Sequence, residues 1–372
     1  MRFTAVGRPC IPLESFLKTK YILFLFLFSL MGLTPFLQAA PSGPDPRDTK
    51  NPFGVLDFLD WNQDWNGFQY DSPAKIERAA ALMEKAGVGM VRQPFPWNTM
   101  EEEKGRIQFD RYDQILDILG RHHIAVLGLI SYSALWTHRE WNAPPDPEAF
   151  LKFTRAVVRR YKDRIKYWEL WNEPDHSTYW NKQDQMQTYT ELLKVFTPAV
   201  KEEDPTAMVV LGSGNTAFPI RQMYRNGAKA FFDVVNIHPF WDPLKPNAIL
   251  GVQGIYKGVL KAMEENQDTN KPIWITEVGC PGIPPLKNPP TWWEGKATTE
   301  TEQAAWVTTV YQEALTWPGV ERIFWAFFRD TDHFHDAVDY FGLLRRNFSP
   351  KPSYNAYRRA SREWRLKHKS DK

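Results

Sequence analysis

A closed (β/α)8 TIM barrel in a single domain is the fold class this sequence predicts, on three observations. Short apolar runs alternate with longer amphipathic stretches, eight of each. The runs are apolar enough to be covered on both faces, as the strands of a parallel sheet are. Each run is followed by a helical stretch, the order that a parallel barrel requires. The rival topology, a doubly wound open sheet, lacks support because no glycine-rich phosphate loop follows the first strand.

The first strand is FGVLDFL (53–59). The helix after it, SPAKIERAAALMEKAG, has legible ends: Ser72 as N-cap, Pro73 at the first helical position and Gly87 as a stop. GMVRQPF (89–95) precedes FDRYDQILDILGRHH (109–123), and IAVLGLI (124–130) precedes PDPEAFLKFTRAVVRRYKDR (145–164). KYWELWNE (166–173) leads to DQMQTYTELLKVFTPAVKEED (184–204), and AMVVLGS (207–213) to IRQMYRNGAKAFF (220–232). DVVNIHP (233–239) is followed by GIYKGVLKAMEEN (254–266), and PIWITEV (272–278) by TETEQAAWVTTVYQEALT (299–316). RIFWAFF (322–328) and PSYNAYRRASREWRLKH (352–368) complete the set. The loop CPGIPPLKNPPTWWEGKAT (280–298) is long and proline-rich, and loops of that length inside a compact domain are usually functional.

The first 40 of the 372 residues read differently. Lys18 and Lys20 precede the apolar run YILFLFLFSLMGLTPFL, and small residues follow at Ala39 and Ala40. That pattern predicts a secretory signal peptide over 1–40, a short segment over 41–52 and the barrel over 53–372. An uncleaved N-terminal anchor is the alternative, since the run is near the lower length for a span. Either way the folded part is expected outside the cytoplasm, as a monomer with no stable membrane span after cleavage.

Cleavage takes four of the 46 basic and one of the 44 acidic residues, leaving 42 against 43. A near-neutral chain without a basic patch argues against nucleic acid as a partner. Cys280 is then the only cysteine, so an internal disulfide is excluded and stability must come from the core.

Chemistry in such a barrel sits at the C-terminal ends of the strands. Two carboxylates fall there: Glu173 ends the fourth run after YWELW, and Glu277 nearly ends the seventh after IWIT. Burying an ionised acid alone is costly, so each needs a partner or a task. Two acids facing one another across a sugar ring are what glycosidic cleavage requires. Arg92 at the end of the second run offers a cation that would hold a carboxylate ionised. Eleven of the 16 tryptophans, Trp97, Trp136, Trp241 and Trp325 among them, fall at strand ends or in the loops after strands. Such flat apolar rings stack on pyranose faces.

WELWNEP with the later WITEVG resembles the glycoside hydrolases of clan A, over about residues 53 to 360. WNEPD together with HPF is most similar to family 39 and its exopolysaccharide-cleaving relatives. The resemblance implies a retaining hydrolase of β-glycosidic bonds, with Glu173 as acid/base and Glu277 as nucleophile. It also implies Arg92 beside the nucleophile, Asn172 on the sugar 2-hydroxyl, His238 as a substrate or orienting contact, and Trp325 as the platform beneath the cleaved sugar. One departure is visible: where many clan members carry a tyrosine whose hydroxyl bonds the nucleophile, this chain has Phe240, and Tyr132 is the candidate to replace that hydroxyl.

No cofactor is required by two-carboxylate chemistry. The loop RDTDHFHDAVD (329–339), with His333 and His335, lacks the fixed i, i+4 geometry of a helical zinc site and is expected to be an exposed loop without metal. His122 and His123 are expected to be structural. The expected substrate is an oligosaccharide or polysaccharide, cut internally if the rim aromatics form several subsites. An exo-acting β-xylosidase-like enzyme, a transglycosylase and an inactive sugar-binding protein are the alternatives.

Overall fold

Residues two apart on a strand share a face, and this alternation organises the molecule. The computed structural model describes Asp45, residues 47–212, Gly214 and residues 216–368; the expected signal peptide lies outside them. The strands are β1 (Phe53–Leu56), β2 (Met90–Pro96), β3 (Ala125–Ser131), β4 (Tyr167–Leu170), β5 (Met208–Val210), β6 (Val235–Ile237), β7 (Ile273–Val278) and β8 (Val320–Ala326). They pair in the order β5-β4-β3-β2-β1-β8-β7-β6, every ladder parallel. A parallel bridge between Val210 and Val234, with the Leu211 N–H donating to the Val234 carbonyl at 3.0 Å, joins β5 to β6. The expected (β/α)8 barrel is therefore the fold.

The helices are α1 (Pro73–Ala86), α2 (Trp97–Met100), α3 (Asp110–Arg121), α4 (Pro147–Tyr161), α5 (Gln185–Glu203), α6 (Ala217–Arg225), α7 (Ala248–Glu265), α8 (Glu300–Ala314) and α9 (Pro352–Lys367). All eight expected helices form, with α2 an additional single turn after β2. The first begins at Pro73 and ends at Gly87, whose φ of 83° is the left-handed conformation glycine adopts without cost. α7 starts earlier than its expected 254, because Ala248 and Val252 extend its buried stripe.

Inside the barrel, Met90, Leu127, Tyr167, Val210, Val234, Trp274 and Phe324 form one apolar layer, with one residue from each of β2 to β8 or its edge. On β1 the neighbour is Gly54, and the absent side chain makes room for the Phe324 ring. Two residues further along their strands, the inward positions turn polar: Arg92, Glu169, Asn236 and Thr276, all buried. The outward positions, among them Val91, Trp168, Ile275 and Trp325, join the main apolar cluster with helix residues such as Ile76, Phe153, Leu193 and Val310. Below the apolar layer, Asp48 accepts from Arg322 at 2.6 Å, Tyr167 at 2.9 Å and Lys166 at 3.1 Å, tying the segment before β1 to the barrel floor.

A Cβ on Gly54 would stand 2.4 Å from the ring of Phe324, which is completely buried. Gly54→Ala is therefore expected to destabilise the barrel by about 1–3 kcal/mol through overpacking. Chemical denaturation with an unchanged m-value checks this.

Candidate active site

The polar layer is centred on Arg92. Its guanidinium clasps Glu169 through Nε to Oε2 and Nη2 to Oε1, both at 2.7 Å. Nη2 also donates to Asn172 Oδ1 at 2.9 Å, and Nη1 donates to Glu277 Oε1 at 2.5 Å. A second chain of contacts crosses the barrel. Asn236 Nδ2 donates to Glu169 Oε1 at 2.9 Å, Thr276 Oγ1 donates to Asn236 Oδ1 at 2.6 Å, and His238 Nε2 lies 2.9 Å from Thr276 Oγ1. The other imidazole nitrogen, Nδ1, is 2.8 Å from Glu173 Oε1.

Local backbone irregularities put these groups in place. β4 ends at Leu170, so Glu173 sits beyond the strand rather than on it as the apolar run suggested. Trp171 and Glu173 adopt φ of 64° and 42°, uncommon for residues with a Cβ, and this path turns the Glu173 carboxyl back over the barrel mouth. In β7 the pairing register slips between Ile275 and Val278. The adjacent residues Thr276 and Glu277 both reach groups inside the barrel, which regular alternation would forbid. One oxygen each from Glu173 and Glu277 and a nitrogen of His238 all lie within 4.8 Å of one another.

The two carboxyls have different surroundings. Burial pushes Glu173 from 4.5 up to about 7, opposed only in part by His176 and Arg92. Glu277 is also raised by burial, while the Arg92 guanidinium pulls it down and Glu173 and Glu169 add to the rise. The direct guanidinium contact belongs to Glu277, whereas Glu173 faces an imidazole that burial drives down to about 4, and hence neutral at ordinary pH. The expected cationic neighbour of Glu277 is thus present, although burial outweighs it in the direction of the shift.

Arg92, Asn172, Glu173, His238 and Glu277 are brought together as the sequence predicted. Two of the tryptophans are not. Trp97 is completely buried, with its ring against Phe150 and Phe153 of α4 and its Nε1 donating to Glu101. Trp325 points outward into the helix layer, since Phe324 and Ala326 take the inward positions of β8, and its Nε1 donates to the Phe341 carbonyl. Neither has a face to offer a sugar. Trp171 and Trp180 are likewise completely buried, so the eleven-tryptophan rim is smaller than expected. Trp136 and Trp241 remain partly exposed, the former with Lys104 over its ring.

The aromatic mouth is instead built largely from phenylalanines. Phe58, Phe240, Phe334 and Trp292, all partly exposed, pack on Phe327 and Phe341 above Leu56 and Ala326. Phe58 stacks on Trp61 at 4.0 Å, extending this wall toward the exposed Trp65. Among the described residues, Tyr132 makes no hydrogen bond to Glu277, so the hydroxyl missing at Phe240 is not replaced from there. Glu169, Asn236 and Thr276 were missed as site residues, yet their signal was present: each is a polar residue two positions beyond an inward apolar one.

In the loop over 329–339, Asp332, His335 and Asp339 cluster closely enough for a metal. Asp339, however, is occupied by the Thr331 hydroxyl and the backbone N–H groups of His333, Phe334 and His335, and Asp332 by Arg346. The acid caps the loop. His122 bridges Glu77 and Glu84 on α1, a structural contact.

With this geometry in view, residues 52–326 match the family model described as Cellulase (glycosyl hydrolase family 5). The chain belongs to glycosyl hydrolase family 5. This family 5 chain is 26% identical over 133 residues to the aryl-phospho-beta-D-glucosidase BglA of Bacillus subtilis (strain 168), a match covering 33% of this chain and 28% of that protein. A family 39 glycoside hydrolase from the gut symbiont Bacteroides cellulosilyticus WH2 shares its fold at a TM-score of 0.65 and 23% identity, over 86% of this chain and 64% of that one. GH5_18 from Streptomyces cattleya, solved in complex with GlcNAc, superposes at 0.66 with 16% identity, over 86% and 81%. The resemblance to clan A therefore stands on a family 5 model, with family 39 entering as a structural neighbour.

The raised carboxyl has a stability consequence in the family 5 chain. Folded Glu173 keeps its proton up to about pH 7, whereas the unfolded chain releases it near 4.5, so stability falls as pH climbs between these values and is flat above. Glu173→Gln removes that loss. Relative to wild type it is expected to gain up to about 3 kcal/mol between pH 5 and pH 8, read by urea denaturation at both; an equal difference at the two pH values contradicts the burial argument.

Proposed function

We propose that the protein is an exported retaining glycoside hydrolase that cleaves β-glycosidic bonds inside a polysaccharide, as an exopolysaccharide-degrading enzyme. The observation that carries this reading is the carboxyl pair whose oxygens approach within 4.8 Å, one on a guanidinium and the other on a neutral imidazole. Inverting enzymes separate their acids by roughly 6.5–9.5 Å to seat a water, whereas a nucleophile needs the closer approach of about 5–5.5 Å.

In the first step Glu277 attacks the anomeric carbon while Glu173 gives its proton to the leaving oxygen. The C–O bond breaks, the cut end departs as an alcohol, and a glycosyl ester remains on Glu277. Glu173, now ionised, takes a proton from water, whose oxygen displaces Glu277 and frees the sugar. Arg92 stabilises the Glu277 carboxylate before attack and after release. It also occupies Asn172 Oδ1, which leaves the Asn172 amide N–H groups to bind the sugar 2-hydroxyl. The partly exposed rings of Phe58, Phe240 and Trp292 supply stacking surface for further sugars, which supports internal cutting. Export is supported by the leader pattern over 1–40.

Glu173→Gln and Glu277→Gln are each expected to lower kcat/KM on a β-linked polysaccharide at least about 100-fold. Wild-type-like turnover in either variant sinks the assignment. Sizing the earliest products of the wild type tests the internal mode: a ladder of oligosaccharides is expected, and monosaccharide alone refutes it.

A further inference from the structure

The contacts behind His238 determine which of its nitrogens carries the proton. Glu169 is clasped by Arg92 and can only accept, so the Asn236 group facing it at 2.9 Å is the NH2, and Asn236 Oδ1 faces Thr276. Oδ1 only accepts, so the single Thr276 hydroxyl proton is committed to it at 2.6 Å. Thr276 Oγ1 must then accept from His238, whose Nε2 carries the hydrogen. In the neutral imidazole Nδ1 is left as a bare lone pair, aimed at Glu173 Oε1 from 2.8 Å. That contact is attractive only when the Glu173 oxygen bears a proton.

We propose that Asn236 and Thr276 are positioning residues that lock His238 as its Nε2–H tautomer, so that the bare Nδ1 holds Glu173 in the protonated form needed before each turnover. The inference rests on the assignment of Glu173 as the acid under the proposed function. After Glu173 has given its proton to the leaving oxygen, its carboxylate faces a lone pair instead of an N–H. The resulting repulsion favours recapture of a proton from water in the second step. The acid and base phases of one residue are thereby driven by a side chain that never changes charge. The other charged or titratable groups acting on Glu173 are Arg92 from β2, Glu277 from β7, whose Oε1 also lies 3.8 Å from His238 Nδ1, Asp175, His176 and Tyr179 from its own loop after β4, and Tyr132 from the loop after β3. Replacing Thr276 removes none of them.

Nitrogen-15 NMR of His238 in the wild-type protein at about pH 6, assigned against His238→Gln, reads the tautomer without needing turnover. A protonated Nε2 and an unprotonated Nδ1 are expected; an Nδ1–H tautomer or an imidazolium overturns the proposal. In the pH profile of kcat/KM, Thr276→Val is expected to move the alkaline limb down by about one unit, while Thr276→Ser restores it, because only the hydroxyl variant accepts from Nε2. An alkaline limb unmoved in a folded Thr276→Val enzyme also overturns it. If the wild type hydrolyses no glycoside, the functional reading fails, while the tautomer measurement still decides the relay.

Discussion

A guanidinium buried inside the barrel is the constraint on which the rest of the site depends. Arg92 is 1% exposed and cannot shed its charge, so anionic and acceptor groups must be gathered around it. Glu169 provides the bidentate partner, Glu277 the second carboxylate and Asn172 a neutral acceptor. Removing one member of a buried ion pair typically costs about 3–5 kcal/mol, because the other is left uncompensated. The arrangement is therefore rigid, and the Glu277 carboxylate inherits that rigidity. Glu169 also anchors Asn236, so one ion pair orients both halves of the site.

Rigidity of this kind separates two chemically identical groups. Both glutamates sit near the barrel mouth, Glu173 buried and Glu277 nearly so, and desolvation pushes both carboxyls upward. What distinguishes them is the neighbour each touches: a permanent cation for Glu277 and a buried neutral histidine for Glu173. Two carboxyls with divergent environments can serve as anion and acid at the same pH.

The barrel was legible in the sequence because strand and helix periods alternate without interruption, and both carboxylates were legible because barrel chemistry has a fixed end. Trp97 and Trp325 were misread for a specific reason: closeness to a strand's end does not say which face a side chain takes. Alternation from Phe324 and Ala326 sends Trp325 outward, and the α2 turn lays Trp97 against α4. Glu169 was passed over as an ordinary strand residue, although its place two residues after Tyr167 set it inside the barrel. The register slip at Glu277 and the positive φ at Glu173 had no signal that a single sequence reveals, since neither falls on glycine. The mouth proved richer in phenylalanine than in tryptophan because the large indoles fill the space between barrel and helices.

The central claim is that Glu277 forms a bond to the sugar while Glu173 handles the proton. Incubation with a 2-deoxy-2-fluoro glycoside bearing a good leaving group slows release of the glycosyl-enzyme more than its formation, and peptide mass spectrometry then locates the adduct. One glycosyl unit on the peptide carrying Glu277 is the predicted result. An adduct on Glu173, or turnover of the activated glycoside with inversion and no adduct, would contradict the account.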